Sequence, residues 1–335
     1  METMMQRILS VGLLGIGLLS GNGFGCFIEE SDVEKRKIDD RIIASIEMPG
    51  YTMTVEAVGG YVYVGYRGGM QIFDVRDPES PQLVGDLKTG KYVNEIRVVG
   101  TTAYIAGGLN GLQVADISSP FAPKLIGSFG DIGEVTGIAV LGNTVYTSGN
   151  GRGVLAFDVS DPTAPTMIGQ RRMEQSSPYI EIEGTMGYVG DRRTGLAVFD
   201  LKKPSHVRLV STTRTADEAF GIAVEGTTVY IGDQDTGVTI MDASEPKRPV
   251  LLSTVKLPGF AYSVEIVGTT LYVADSDEGI YVFDVMDPKN PIQIDHVYTA
   301  DRAFEICMSG RFGYVADGDG GLQVIDFAKA DPRED

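Results

Sequence analysis

An aspartate returns every 42 residues along this chain: Asp74, Asp116, Asp158, Asp200, Asp242, Asp284 and Asp326. A spacing held without drift over seven copies marks one small unit repeated, because a single globular core imposes no such ruler. Other markers keep the same step. A glycine stands four residues before a tyrosine in every copy: Gly59 and Tyr63, Gly100 and Tyr104, Gly142 and Tyr146, Gly184 and Tyr188, Gly226 and Tyr230, Gly268 and Tyr272, Gly310 and Tyr314. A proline follows each aspartate: Pro78, Pro120, Pro162, Pro204, Pro246, Pro288 and Pro332.

The unit reads as four short strands. In the cleanest copy Phe220–Val224 is the first, Thr227–Ile231 the second, Val238–Met241 the third and Val250–Thr254 the fourth, each bounded by Gly, Pro or Asp. No helical period and no room for a crossover helix occur in the repeat. Four antiparallel strands per 42 residues describe a propeller blade. The recurring tyrosines then fill the gaps between blades. The recurring aspartates stabilise the turn between third and fourth strands by accepting nearby backbone N–H groups. Seven separate blades would hold them too far apart to share a metal.

Closure follows from counting. The seventh copy has no fourth strand after Asp326, whereas Arg41–Ile46 precedes the first copy and matches the fourth-strand pattern Leu83–Leu87. The N-terminal strand is therefore expected to complete the last blade, leaving no open edge between first and last. The expected fold is all-β: a seven-bladed propeller over residues 41–332.

The repeats resemble the LVIVD family. The resemblance is carried by Gly111-Leu112-Gln113-Val114-Ala115-Asp116-Ile117, by Gly279-Ile280-Tyr281-Val282-Phe283-Asp284-Val285 and by Gly321-Leu322-Gln323-Val324-Ile325-Asp326. It implies a propeller, often in exported or surface proteins of bacteria and archaea. It implies no catalytic residues.

The ends and the charge narrow the setting. Residues 1–25 read as a signal peptide, with Arg7 ahead of an apolar run from Ile8 to Leu19. With Cys26 following, the segment resembles a bacterial lipoprotein signal in which that cysteine becomes the acylated first residue. It departs from such signals at Gly23, where they carry a Leu-like residue. Residues 26–40 read as a polar tether. The expected location is the cell envelope, membrane-anchored only through the lipid and periplasmic or surface-exposed, or secreted if the cysteine is not acylated. A net charge of −18 argues against a nucleic-acid partner. The other cysteine, Cys307, falls on a strand, so no disulfide framework exists.

Two regions could carry function. Along the innermost strands Val55, Ile96, Ile138, Ile180, Ile222, Val264 and Ile306 form a β-branched row. The flanking positions carry Glu56, Glu95, Arg97, Tyr179, Glu181, Glu265 and Glu305. Charges near a propeller axis are costly unless paired or wet. Arg97 is expected to pair with Glu56 or Glu95, or the group lines a polar funnel. The way in would pass Tyr51, Tyr92, Glu134, Glu218, Phe260 and Arg302, a set suited to a sugar, a peptide or a small organic ligand. The second region is the upper face, where loops between second and third strands vary. Arg67, Arg152, Arg192 and Arg193 mark one arc and Asp233, Asp235, Asp275, Asp277, Asp317 and Asp319 the other. The Asp-x-Asp pairs raise calcium as a minor alternative, but no cofactor is expected.

No nucleophile elbow or phosphate loop is present, and His206 and His296 fall at the rim. The sequence thus favours a monomeric binding module for an envelope or extracellular protein, peptide or glycan, with no catalytic residue assigned. A metal-assisted hydrolase or lyase using the funnel carboxylates, and a purely structural envelope component, are the alternatives.

Overall fold

The structure is a computed structural model and describes residues 39–173 and 179–329. The expected signal segment, Cys26 and Pro332 lie outside the described residues. The strands form seven four-stranded antiparallel sheets. Six sheets use consecutive strands. In the fifth blade Ala219–Glu225, Thr228–Asp233, Gly237–Asp242 and Val250–Val255 pair in that order, each within two residues of the expected bounds. In the last sheet Ile42–Ile46 pairs with Leu322–Asp326, so the N-terminal strand does complete the seventh blade.

Local chemistry explains why the unit repeats. The glycine of each first hairpin has φ between 58° and 63° in all seven copies. A Cβ there would meet nothing within 4 Å, so the glycine is required by its dihedral and not by crowding. Each of the seven ruler aspartates accepts the backbone N–H two residues on, through Oδ1 at 2.8–3.1 Å. These are Asx turns, and they absorb the whole row.

The hydrophobic core is seven interfaces, not one centre. Each apolar cluster joins two neighbouring blades. One of them packs Tyr230, Val238 and Ile240 of the fifth blade against Leu271, Val273 and Phe283 of the sixth. Six of the recurring tyrosines are buried in this way and Tyr272 is partly buried.

Near the rim, one fourth-strand position docks onto the proline turn of the following blade. The carbonyls of Pro120, Pro162 and Pro204 lie 2.0–2.2 Å from where a Cβ would stand on Gly85, Gly127 and Gly169. In the next two blades Ser211 and Ser253 occupy that position and donate to the carbonyls of Pro246 and Pro288 at 2.6 Å. The sixth blade places Asp295 there. It meets not a proline turn but Arg41, at 2.5 Å. Arg41 is 2% exposed and also holds Asp39 through Nε at 2.9 Å and Nη2 at 2.8 Å. Its Nη2 donates to the His296 carbonyl at 2.6 Å. Asp39, which the sequence assigned to the tether, is buried and belongs to the fold.

At its outer edge the seam where the ring closes therefore hangs on a buried ion pair, in the place where five other interfaces use the carbonyl of a proline turn. Removing one partner of such a pair leaves the other charge buried and uncompensated. We expect Arg41→Ala to lower stability by about 3 kcal/mol or more, measured by urea unfolding. Asp158→Ala, which removes one exposed Asx turn, should cost much less. Equal losses would show that the seam is not special.

Candidate functional site

The innermost strand of every blade is a sheet edge, and its outward N–H groups face the axis without a ladder partner. The funnel glutamates supply acceptors. Glu95 takes the N–H of Ile138 at 2.7 Å, and Glu305 takes that of Val55 at 3.0 Å. One step further along the strand, Glu265 takes the N–H of Met308 at 2.8 Å and Glu56 that of Val98 at 3.5 Å. Cys307 Sγ accepts from Ala57 at 3.3 Å. In each case the acceptor sits on one blade and the donor on the next. These side chains stitch the ring around its hole.

Arg97 is the cation among them. Its Nη2 lies 2.5 Å from Glu181 and 2.7 Å from Glu95, and its Nη1 is 3.6 Å from Glu56 and 4.0 Å from Glu305. The pairing expected with Glu56 or Glu95 is present with both, and Glu181 joins from across the axis. Burial would favour the neutral guanidine, but Glu95, Glu181, Glu56 and Glu305 outweigh it and raise the pKa well above the usual range. Arg97 stays charged.

The carboxylates are in excess, and burial shifts them. Desolvation pushes Glu265 up to about 8 and Glu305 to about 7, and lifts Glu56 and, strongly, Glu95. Arg97 opposes the rise in all four. Burial also raises the Tyr179 phenol and the Cys307 thiol well above their ordinary values.

These residues enclose an axial cavity of about 260 Å³. Glu56, Arg97, Tyr179, Glu181, Glu265 and Glu305 all line it, while Glu95 is buried behind Arg97. Ile222, Val224, Val264 and Ile266 form an apolar wall. Exposure rises along the strands toward the end where the first hairpins lie, here the lower face. Glu95 is 0% exposed, Glu56 18%, Glu181 32%, and Val99 at the lower rim 50%. Water thus reaches the carboxylates from below.

At the upper end the expected way in is occupied over four blades by aromatic rings in edge and tilted contact. Tyr51 meets Phe304, Phe304 meets Tyr262, and Tyr262 meets Phe220 and Phe260, with centroids 4.7–5.6 Å apart. Tyr51 and Phe260 are roofing, not gateposts. Tyr92 stands exposed beneath Arg67 at 5.2 Å, and Arg302 pairs at the surface with Asp277 at 3.2 Å. The sequence reading passed over Tyr262 and Phe304. They stand two positions before the β-branched row, where Phe220, Tyr262 and Phe304 are aromatic in three successive blades.

The upper loops divide into two kinds. Asp191, Asp233, Asp275 and Asp317 are buried and accept backbone N–H groups. Three of them, Asp233, Asp275 and Asp317, were expected on the surface. They clamp loops to the framework, and burial raises Asp275 and Asp317 to about 6. Asp235, Asp277 and Asp319 remain exposed. Among the described residues no three His, Cys, Asp or Glu side chains are placed to hold a metal ion. On the cationic arc Arg192, Arg193 and Arg214 line one cleft of about 250 Å³ with Asp217 and Glu218. Arg192 lies over the Phe220 ring at 4.3 Å. Arg152 lines a separate cleft beside Phe129 and Ile132.

The pKa shifts fix a pH dependence. A carboxyl whose folded pKa lies above its unfolded one holds its proton more tightly when folded. Its contribution is complete below the ordinary value of 4.5 and is lost as pH rises through about 7 and 8 for Glu305 and Glu265. The turn aspartates work in reverse. Asp74, lowered to about 2 by its hydrogen bonds with Arg76, contributes above 3.8 and loses that contribution as pH falls. Thermal unfolding is expected to show a stability maximum near about pH 5 and a decline toward about pH 9. Glu265→Gln should flatten the alkaline limb. A variant curve parallel to wild type would sink this assignment.

The LVIVD repeat family model matches seven successive segments: 49–89, 90–131, 132–171, 177–215, 217–256, 258–299 and 301–331. Among solved structures, the computationally designed Ika8 protein is similar with a TM-score of 0.64 at 11% identity, covering 85% of this chain and 99% of its own. A chain in the mitotic checkpoint complex gives 0.72 at 13% identity, covering 85% and 95%. Both likenesses concern the fold alone. No curated protein matches the chain.

Proposed function

The chain belongs to the LVIVD repeat family, and from that premise we propose that it is an exported, lipid-tethered propeller that binds a protein partner at the cell envelope through its upper face. The observation that carries the reading is the arginine cleft. Three guanidinium groups, Arg192, Arg193 and Arg214, share one cleft on a chain whose net charge is −18. Of the acids beside them, Glu218 comes no closer than 4.0 Å to Arg192, and both are well exposed. Such a contact is worth little. A cluster of like charges on a rigid frame suits a partner that presents an acidic surface.

The direction of the first strand supports the tether. Ile42 pairs with Ile325 and Ile46 with Leu322, so the chain climbs from the lower rim to the upper. A tether ending at Asp39 leaves from the lower face, opposite the arginine cleft. Anchored at Cys26, the propeller would present its upper loops away from the membrane.

Two measurements test this. Capture from detergent-solubilised envelope should yield one stoichiometric protein, and Arg192→Glu with Arg193→Glu should weaken its binding at least tenfold. No partner, or equal capture by the double variant, removes the binding claim. Mass spectrometry of the mature N-terminus should find acylated Cys26, and an unmodified start elsewhere removes the anchor.

A further inference from the structure

The axial cavity holds more carboxylate than the fold uses. Four glutamates line it, and Arg97 is the only cation in its wall. Arg97 is already surrounded by carboxylates within 4.0 Å and offers no positive charge to a ligand. Glu265 lies outside that network. Its Oε2 is occupied by the Met308 N–H, while no hydrogen bond or ion pair among the described residues engages Oε1.

Beside Glu265, on the same strand, stands a second unspent group. Ser263 lines the cavity, is 7% exposed, and its hydroxyl has no hydrogen-bond partner among the described residues. A hydroxyl on the cavity wall with no protein partner is open to a ligand atom or water. The Tyr179 hydroxyl, likewise without a partner among the described residues, lines the same space. The remaining wall is apolar, through Ile222, Val224 and Ile266.

We propose that the axial cavity binds a small organic cation, a protonated amine on an apolar body. The ammonium sits against Glu265, with Ser263 and Tyr179 accepting hydrogen bonds from its remaining N–H groups, and the hydrocarbon lies on the isoleucine and valine wall. A volume of about 260 Å³ is below the usual drug-sized range, which sets a small ligand. An anion is disfavoured by every carboxylate present. A bare metal ion lacks the converging oxygens among the described residues.

Binding is linked to protonation. With Glu265 pushed up to about 8 and Glu305 to about 7, the empty cavity holds protons at neutral pH. The other groups facing it are Glu56, Glu181, Arg97 and Cys307. An ammonium ion favours the ionised carboxylate, so its binding at neutral pH expels a proton to the buffer.

Isothermal titration of the full-length protein with cyclohexylamine, and with cyclohexanol as its neutral counterpart, tests the proposal. The amine is expected to bind saturably at one site, at least tenfold tighter than the alcohol. Its heat should depend on the ionisation enthalpy of the buffer. Glu265→Gln retains an acceptor for the Met308 N–H, so the fold should survive. It should weaken the amine at least tenfold and leave the alcohol unchanged. Arg192→Glu, on the opposite face, should leave amine binding unaltered, which separates this site from the partner site. No saturable amine heat, equal affinity for amine and alcohol, or wild-type amine binding by Glu265→Gln would each overturn the proposal.

Discussion

A ring of blades holds only if its last interface is as good as the others, and here the outer edge of that interface is held by a buried ion pair. Five times around the circle, a glycine or a serine on an outer strand receives the carbonyl of the next proline turn. At the seam there is no turn to receive, because the third strand of the seventh blade is followed in space by the start of the chain. Arg41 takes the place of the missing contact and binds Asp295 on one side and Asp39 on the other. The cost of burying the guanidinium is met by three acceptors, the carboxylates of Asp39 and Asp295 and the His296 carbonyl. Charge at this position also gives direction. An incoming strand in the wrong register would leave Arg41 buried without Asp295, so the pair favours the single register that closes the ring.

The axis poses the opposite problem. Outer strands can present idle backbone groups to bulk water, but inner strands converge on a narrow hole. Their N–H groups need acceptors that reach from one blade to the next. Glutamate is long enough to do so, and Glu56, Glu95, Glu265 and Glu305 each bond the neighbouring inner strand. Carboxylates that satisfy backbone donors in this way crowd one another, and desolvation then raises their pKa values. One arginine offsets part of the charge. Protons or a bound cation must offset the remainder.

The frame was legible because it repeats. A seven-fold average over Asp, Gly, Tyr and Pro exposes strand order and turn chemistry even where a single copy is ambiguous. Closure was legible because Arg41–Ile46 carries a fourth-strand pattern with no blade of its own. What the repeat hides is the meaning of its exceptions. Asp275 and Asp319 look alike as loop aspartates, yet one is fully buried and the other exposed, because Asp275 ends the second strand and turns inward while Asp319 stands at the tip of its loop. The funnel glutamates look like a binding set, but their backbone partners lie about 42 residues away. Such pairings depend on strand register across blades, which no local pattern encodes. Asp39 was misread for a related reason: a lone acid before a strand resembles a tether until its partner Arg41 is seen bound to Asp295 on the sixth blade.

Structure and recognition at the axis draw on the same atoms. A carboxylate has two oxygens, and the inner-strand edge needs only one acceptor from each glutamate. Where Arg97 reaches, the second oxygen is also spoken for. Where it does not reach, at Glu265, the fold leaves a directed negative group beside an idle hydroxyl and an apolar wall. An uncharged acceptor such as glutamine would close the edge equally well and avoid the desolvation cost. Retaining a glutamate at that position is therefore not explained by the stability of the ring alone. It is explained by a cavity that discriminates by charge, with the lower face as the route from water and the aromatic rings above as the stop.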